Sequence, residues 1–436
     1  MRLYSLRLIL MWGLLVVAPA AEAKQPPTAH QQFEDLQTKL KESRANRDWR
    51  SGLARAEDLK ELLNGSPDSL LEVARAQVHV GDLKAAVDEL ERFVRMGQST
   101  DLLETSAEFA PLGKEEGAAN IRNGMKINRS PISLSVTAFA LSDPGLLAED
   151  IDYDAHSKRF FITSVREKKI IAVDDKGTTS DFAKAPDNWP MVAIKIDPSA
   201  EVVWATEVAM HGFNFTPEPD WGRSAVLCYD LKTGKLLRRV EGPKGSALGD
   251  MTLTTDGDVI VSDGDGGGVY RLPAKGAALE RLDNGDFISP QTPAMYPDGK
   301  RIFVPDYARG IGVLEIATKQ VRWLSMEERF ALNGIDGMYF DRGTLIAVQN
   351  GTAPERVVAF ALDTTLTKIQ SETIIERATD TIGDPTHGVI VGNDFFYIAN
   401  SGWDVTDDHG NLKPGARASV PRIMRSHFTG ESWGDH

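Results

Sequence analysis

After Pro131 one short pattern recurs six times, and few folds accommodate it. Each unit opens on a polar residue, Met191 of the second excepted, enters an apolar alternating strand, turns at Asp, Gly or Pro, and returns as a second apolar strand. The first unit reads Glu149-Asp150-Ile151-Asp152-Tyr153-Asp154, then Arg159-Phe160-Phe161-Ile162-Thr163-Ser164. The others open at Met191, Asp250, Gln291, Asp336 and His387. Openings recur every ~40 to 60 residues, the length of a four-stranded propeller blade. A third apolar strand follows in every unit: 170–173, 226–229, 269–272, 311–314, 357–360 and 423–424. No helix-length amphipathic segment separates them, which argues against a parallel sheet of βαβ units. The pattern predicts an all-β, six-bladed propeller over residues 132–430, with 132–140 supplying the strand that closes the ring.

Ahead of it the period changes. From about residue 30 to 125 apolar residues recur at helical spacing. Ser66-Pro67 offers a cap and a first turn, and Leu70, Leu71, Ala74 and Val78 line one face. Gly81-Asp82 breaks the run before Leu83, Ala86, Val87, Leu90, Phe93 and Val94 begin another face. Two such helices around a Gly-Asp turn look like one tetratricopeptide-type unit. A single unit cannot bury its apolar face alone, so a packed cap or docking element for a protein partner is expected here. The Gly-, Asn- and Pro-bearing stretch from Leu112 to Pro131 reads as a linker.

Residues 1–23 read as an export signal, with Arg2 and Arg7 before an apolar run and Ala21-Glu22-Ala23 as cleavage site. The run is too short for a permanent transmembrane helix. The expectation is a secreted or periplasmic protein with no membrane insertion once the signal is cleaved. The formal net charge is −14, and removing the signal makes it one unit more negative. Such a chain repels phosphate backbones, so no nucleic acid partner is expected. Cys228 is the only cysteine, which excludes an intramolecular disulfide and a thiolate metal cluster. It lies in an apolar strand and reads as a core residue.

In an antiparallel blade the start of the first strand and the end of the second share one end. That geometry gathers Glu149, Asp250, Gln291, Asp336 and His387 around one mouth of the channel. Asp263, Asp306, Asn350 and Asn400 come to the same face, farther from the axis. Rings of oxygen donors suit a divalent cation, while Asp and Asn at strand ends also bind turn amides. His387 is an acid–base candidate or a plain hydrogen-bonding residue. The aromatic and proline-rich stretch from Glu207 to Arg223 is long for a blade connection and reads as a lid or an inert loop. The run Gly264–Gly268 lacks the last glycine of a dinucleotide fingerprint and reads as a hairpin turn.

Three places resemble the regucalcin/gluconolactonase family of six-bladed propellers. They are Ala148-Glu149-Asp150-Ile151, Gly334-Ile335-Asp336-Gly337-Met338, and Gly249-Asp250 with Asp256-Gly257. The resemblance implies one divalent metal (Ca²⁺, Mg²⁺ or Zn²⁺) held by a Glu, an Asn and an Asp. These fall on Glu149, Gln291 and Asp336, with Gln291 one methylene longer than the family's Asn. Asp250 falls where the family has an Asp near substrate and water. The resemblance thus implies a lactonase-like hydrolase of a small lactone, in which Asp250 or Asp336 acts as base. The rival reading is a non-catalytic binding or scaffold propeller with a helical docking domain.

Overall fold

Near-continuous apolar runs build sheets buried on both faces, and in this chain those faces meet around an axis. The computed structural model describes residues 26–174, 177–325 and 329–427; the expected signal at 1–23 and positions 428–430 lie outside them. Among the described residues there are six antiparallel sheets. Their first strands are Ala148–Asp154, Met191–Asp197, Leu248–Leu253, Ala294–Met295, Met338–Asp341 and Gly388–Val391. Those strands contact one another around the ring, so each blade runs outward from the axis.

The ring is closed by a strand from the far end of the domain. Val136–Ala140 pairs with Arg422–His427 and forms the outermost strand of blade six. The preceding Ile132–Ser133 adds a fifth strand to blade five, pairing with Ile369–Arg377.

Each interface between neighbouring blades carries its own apolar cluster. Phe161, Met191 and Leu227 join blades one and two, and Trp204, Met251 and Val261 join two and three. Ile260 and Ile302 join three and four; Phe303, Leu345 and Phe360 join four and five. Val348, Phe395 and Tyr397 join five and six, and Phe160, Ile398 and Ile423 close the circle onto blade one. Truncating one of these buried phenylalanines to Ala costs about 3–5 kcal/mol.

The inner strands leave sheet edges facing the axis, and buried backbone groups there need partners. Polar side chains supply them from the next blade. Thr163 Oγ1 donates to Val192 O (2.5 Å), Ser262 Oγ to Gln291 O (2.7 Å) and Thr386 Oγ1 to Glu149 O (2.7 Å). Asp150 Oδ2 accepts from Ile194 N and from Lys195 Nζ (2.8 and 2.9 Å). Polar residues at or beside the unit openings and at the ends of the second strands therefore stitch blades together.

The helices precede the propeller as Ala29–Ala45, Trp49–Leu62, Pro67–Val80, Leu83–Arg95 and Ala118–Asn128, with two short turns between the last two. Gly81 ends the third in the left-handed region (φ 84°), and Asp82 caps the fourth by accepting from Ala85 N. Ser66 takes the N-cap position of the third but makes no side-chain cap bond. The expected linker from Leu112 to Pro131 is instead largely helical. Ile121 and Met125 bury one face of Ala118–Asn128 against Val87, Leu90 and Phe93, and Asn128 Nδ2 donates to Val94 O and Gln98 O. Gly124 is required there, since a Cβ would collide with Val94.

The helical unit packs onto one end of the propeller. Ala29 N donates to Gly285 O, Asn64 Nδ2 to Arg309 O and Ser99 N to Ala353 O. Arg309 and Ala353 follow the second strands of blades four and five, so the helices border the same end of the channel at which the unit openings gather. Among the described residues no helix is long and apolar enough to cross a membrane.

Candidate functional site

Four of the five residues expected at the mouth meet there. Glu149 enters from blade one, Asp250 from blade three, Asp336 from just before the first strand of blade five, and His387 from just before that of blade six. All four are buried or nearly so; His387 is 1% exposed and Asp250 5%. One ligand atom each from Glu149, Asp336 and His387 lie within 4.8 Å of one another.

The imidazole is held from both sides. His387 Nδ1 lies 2.9 Å from Glu149 O, a carbonyl that can only accept, so Nδ1 carries a proton. Its Nε2 is hydrogen-bonded to Asp250 Oδ1 and stands 4.0 Å from Asp336 Oδ1. Burial alone would lower the imidazole pKa, but the carboxylates of Asp336, Asp250 and Asp150 raise it well above 6.5. Thr292 Oγ1 donates to the same oxygen of Asp250 (3.0 Å).

The acids are crowded. Burial pushes the Glu149 carboxyl up to about 8, with Asp336 adding to the rise, while His387 and the Trp403 N–H oppose it. Burial also raises Asp336 to about 6, against the pull of His387 and the Asn350 amide. Asn350 Nδ2 donates to Asp336 Oδ2 (2.8 Å), and Tyr307 Oη donates to Asn350 Oδ1 (2.9 Å). Asp384, just before His387, is raised to about 7 by burial and by Asp336 and Asp404. Its backbone is left-handed (φ 53°), as is that of Leu147 (φ 46°) before Glu149. Strained backbone of this kind clusters at functional sites.

The Gln291 amide Nε2 donates to Ser289 Oγ (3.1 Å) and Ser289 O (3.3 Å), while His387 lies with Glu149 and Asp336. Thr292, next to Gln291, reaches the axis. Of the outer group, Asn350 touches the site. Asp263 and Asp306 bind turn amides, and Asn400 ties Arg422 N and Val420 O. Cys228 is buried, and burial pushes its thiol up to about 11, consistent with a core residue. The run at 264–267 is the turn between the second and third strands of blade three.

Trp403, absent from the sequence expectations, donates its indole N–H to Glu149 Oε2 (2.5 Å). Nothing periodic marks it, because it lies in the long connection between Asp394–Ile398 and Arg422–His427.

The residues fit a divalent cation. Ligand atoms at ~2.1 Å from one ion and tetrahedrally arranged are ~3.4 Å apart, so the triad, now within 4.8 Å, would draw together by up to about 1.4 Å and leave a fourth position open. With Nδ1–H held by a backbone carbonyl, Nε2 would serve a metal on losing its proton and its hydrogen bond to Asp250, which frees that carboxylate. Crowded carboxylates with raised pKa values are relieved by added positive charge. Below the site the channel continues as a cavity of about 270 Å³, lined by Asp152, Lys195, Thr292 and Met338 among others.

No protein-family model and no curated protein matches the chain. Solved structures that it resembles include a gluconolactonase from Xanthomonas campestris, 15% identical over 67% of this chain and 89% of that one, with a TM-score of 0.47. Regucalcin from Agrobacterium tumefaciens, a calcium-binding protein, is 14% identical over 68% of this chain and 95% of that one, with a TM-score of 0.46. A luciferin-regenerating enzyme is 14% identical over 69% and 96%, with a TM-score of 0.48.

Proposed function

We propose that this chain is a metal-dependent hydrolase of a small lactone or related ester, sugar-acid lactones included, acting at the propeller mouth. The observation that carries the reading is the convergence of Glu149, Asp336 and His387 from three blades, with Asp250 of a fourth against the imidazole. Glu149, Asp336 and His387 would hold a divalent cation, which when bound would supply Lewis acidity to the ester carbonyl and to water. The mixed oxygen and nitrogen donors suit Zn²⁺ or Mn²⁺ better than Ca²⁺.

The chain's own residues supply the proton path and the orientation. Asp250 takes the proton of the attacking water as the water oxygen bonds to the acyl carbon. The acyl carbon–oxygen bond of the ring then breaks, and Asp250 returns that proton to the leaving oxygen. The Thr292 hydroxyl fixes the Asp250 carboxylate, and Glu149 O fixes the imidazole plane. Asn350, itself held by Tyr307, does the same for Asp336. The signal-like leader puts the reaction in a secreted or periplasmic setting, and the helical unit offers a surface for a protein partner.

The test is metal content and turnover of a lactone panel for wild type and Asp336→Ala. Stoichiometric metal with hydrolysis, both lost in the variant, is the expected result. A wild type that retains no metal and opens no lactone would overturn the reading and leave a binding propeller with a helical docking unit.

A further inference from the structure

Two connections from non-adjacent blades meet above blade one. Residues 209–223 join the second and third strands of blade two, and 399–421 join those of blade six. Blade one lies between these blades in the ring, so the connections approach it from opposite sides. They are tied by backbone and side chain. Asn214 N donates to His409 O (3.1 Å), and His409 Nδ1 donates to Gly212 O (2.9 Å). Gly410 holds φ 79° flush against Phe215, where a Cβ would collide with the ring.

Their shared core sits on blade one. Leu147, Val165 and Phe213 form a buried cluster, with Met210, Phe215 and Trp403 packed against it. The Phe213 ring lies 5.1 Å from Phe215 and 5.9 Å from Trp403, centroid to centroid. Two cations of blade one fasten the edges: Lys168 Nζ donates to Phe215 O (2.8 Å) and Arg166 to Thr406 Oγ1 (3.1 Å). The aromatic stretch from Glu207 to Arg223 is thus no free surface loop. It packs on the residue that touches Glu149.

The structure assigns these two connections a single role: they form one lid whose packing delivers the Trp403 N–H to Glu149, making Trp403 a positioning residue for the site. An indole N–H can only donate, so it holds one oxygen of Glu149 and sets the rotation of the carboxylate toward Asp336 and His387. Phe213, which touches no member of the triad, acts one step further out by fixing the Trp403 ring. Outer-shell donors of this kind typically alter metal affinity 10- to 100-fold when removed. The assignment rests on the metal reading for its consequence, but the contact itself is testable without metal.

Trp403→Phe keeps an aromatic ring against Phe213 and removes the N–H, together with part of the indole's volume. Calorimetric titration of the full chain with Zn²⁺ and with Mn²⁺ is expected to show affinity reduced about tenfold or more with the fold unchanged. Phe213→Ala is expected to weaken binding in the same direction and by less. The metal-free readout is the indole N–H resonance of Trp403, identified by its loss in Trp403→Phe. It is expected to shift in Glu149→Gln and in Phe213→Ala. An unmoved resonance in both variants overturns the assignment whatever the metal does. Unchanged Zn²⁺ and Mn²⁺ affinity in Trp403→Phe, with wild type binding tightly, overturns the positioning role. If wild type binds neither ion while the resonance shifts, the lid contact stands and the hydrolase reading falls.

Discussion

Asp306 is a fully buried aspartate and Asp336 a nearly buried one at the mouth end of the propeller, and they do opposite things. Asp306 is surrounded by donors: Ile288 N, Ser289 N, Ala308 N and Arg309 N all point at its two oxygens, at 2.6 to 3.1 Å. Burial raises its pKa, and the other contributions are those backbone donors pulling it down. Asp336 has one side-chain donor, Asn350, and faces Asp250 and His387. The difference lies in how many amides reach each carboxylate. Where the backbone satisfies the charge, the residue closes a turn; where carboxylates face each other around an imidazole, burial and mutual repulsion raise their pKa values.

The widest separation is expected in turnover. Asp336→Asn keeps the shape and removes the charge, so hydrolysis should fall about 10³-fold, equivalent to ~4 kcal/mol of transition-state stabilisation. Stoichiometric metal should be lost with it, while the thermal midpoint of the metal-free protein holds or rises. Lactone turnover and metal analysis on the same preparations check this, and a variant that retains both breaks the comparison. Asp306→Ala should do the reverse. It strands four amides and should cost on the order of 3 kcal/mol in denaturant unfolding. The protein that remains folded should still bind metal.

Acidity sharpens the contrast next. Glu149 at about 8, Asp336 at about 6 and His387 well above 6.5 all keep protons in the folded state that the unfolded chain releases at lower pH. The unfolded state therefore binds fewer protons between about pH 5 and 8, and stability falls as pH rises through that window. Metal-free protein should lose on the order of 5 °C in thermal midpoint from pH 5.5 to 8. Zn²⁺ or Mn²⁺ should reverse the loss, since binding displaces the same protons. Scanning calorimetry across pH, with and without the ion, tests it. A midpoint that rises with pH in the metal-free protein would mean the acids are not crowded as described.

The propeller was legible because a period of two, interrupted at regular distances, leaves few alternatives; even the closing strand near Val136 showed in its position ahead of the first unit. Glu149, Asp250, Asp336 and His387 were legible because each opens a unit, and radial geometry brings openings together. The reach of Thr292 to Asp250 was not. Blade four begins its regular pairing only at Ala294, after an isolated bridge at Pro290, and an offset of one residue exchanges the side chain that faces the axis. The helix at Ala118–Asn128 was hidden by Gly124 and its asparagines, residues that favour turns until a neighbour such as Val94 demands the missing Cβ. Trp403 and Asp384 lie in connections, where no period marks which side chain turns inward.

The smallest effect concerns Asn350, which stands between the two kinds of aspartate as the one side-chain donor to Asp336 among the described residues. Its amide gives one hydrogen to Asp336 Oδ2, and its oxygen takes the Tyr307 hydroxyl. Tyr307 is 36% exposed, so water can replace that partner at little cost. Asp336 is the more buried end, and loss of its donor leaves the carboxylate freer to rotate and less willing to ionise. Asn350→Ala should therefore cost about 1 kcal/mol of stability. Metal affinity should weaken several-fold, far short of Asp336→Asn, and the pH at which binding is half-maximal should move upward. A titration showing the same pH dependence as wild type would mean that the carboxylate cluster alone orders Asp336, and that one amide is too few to matter where four decide the case for Asp306.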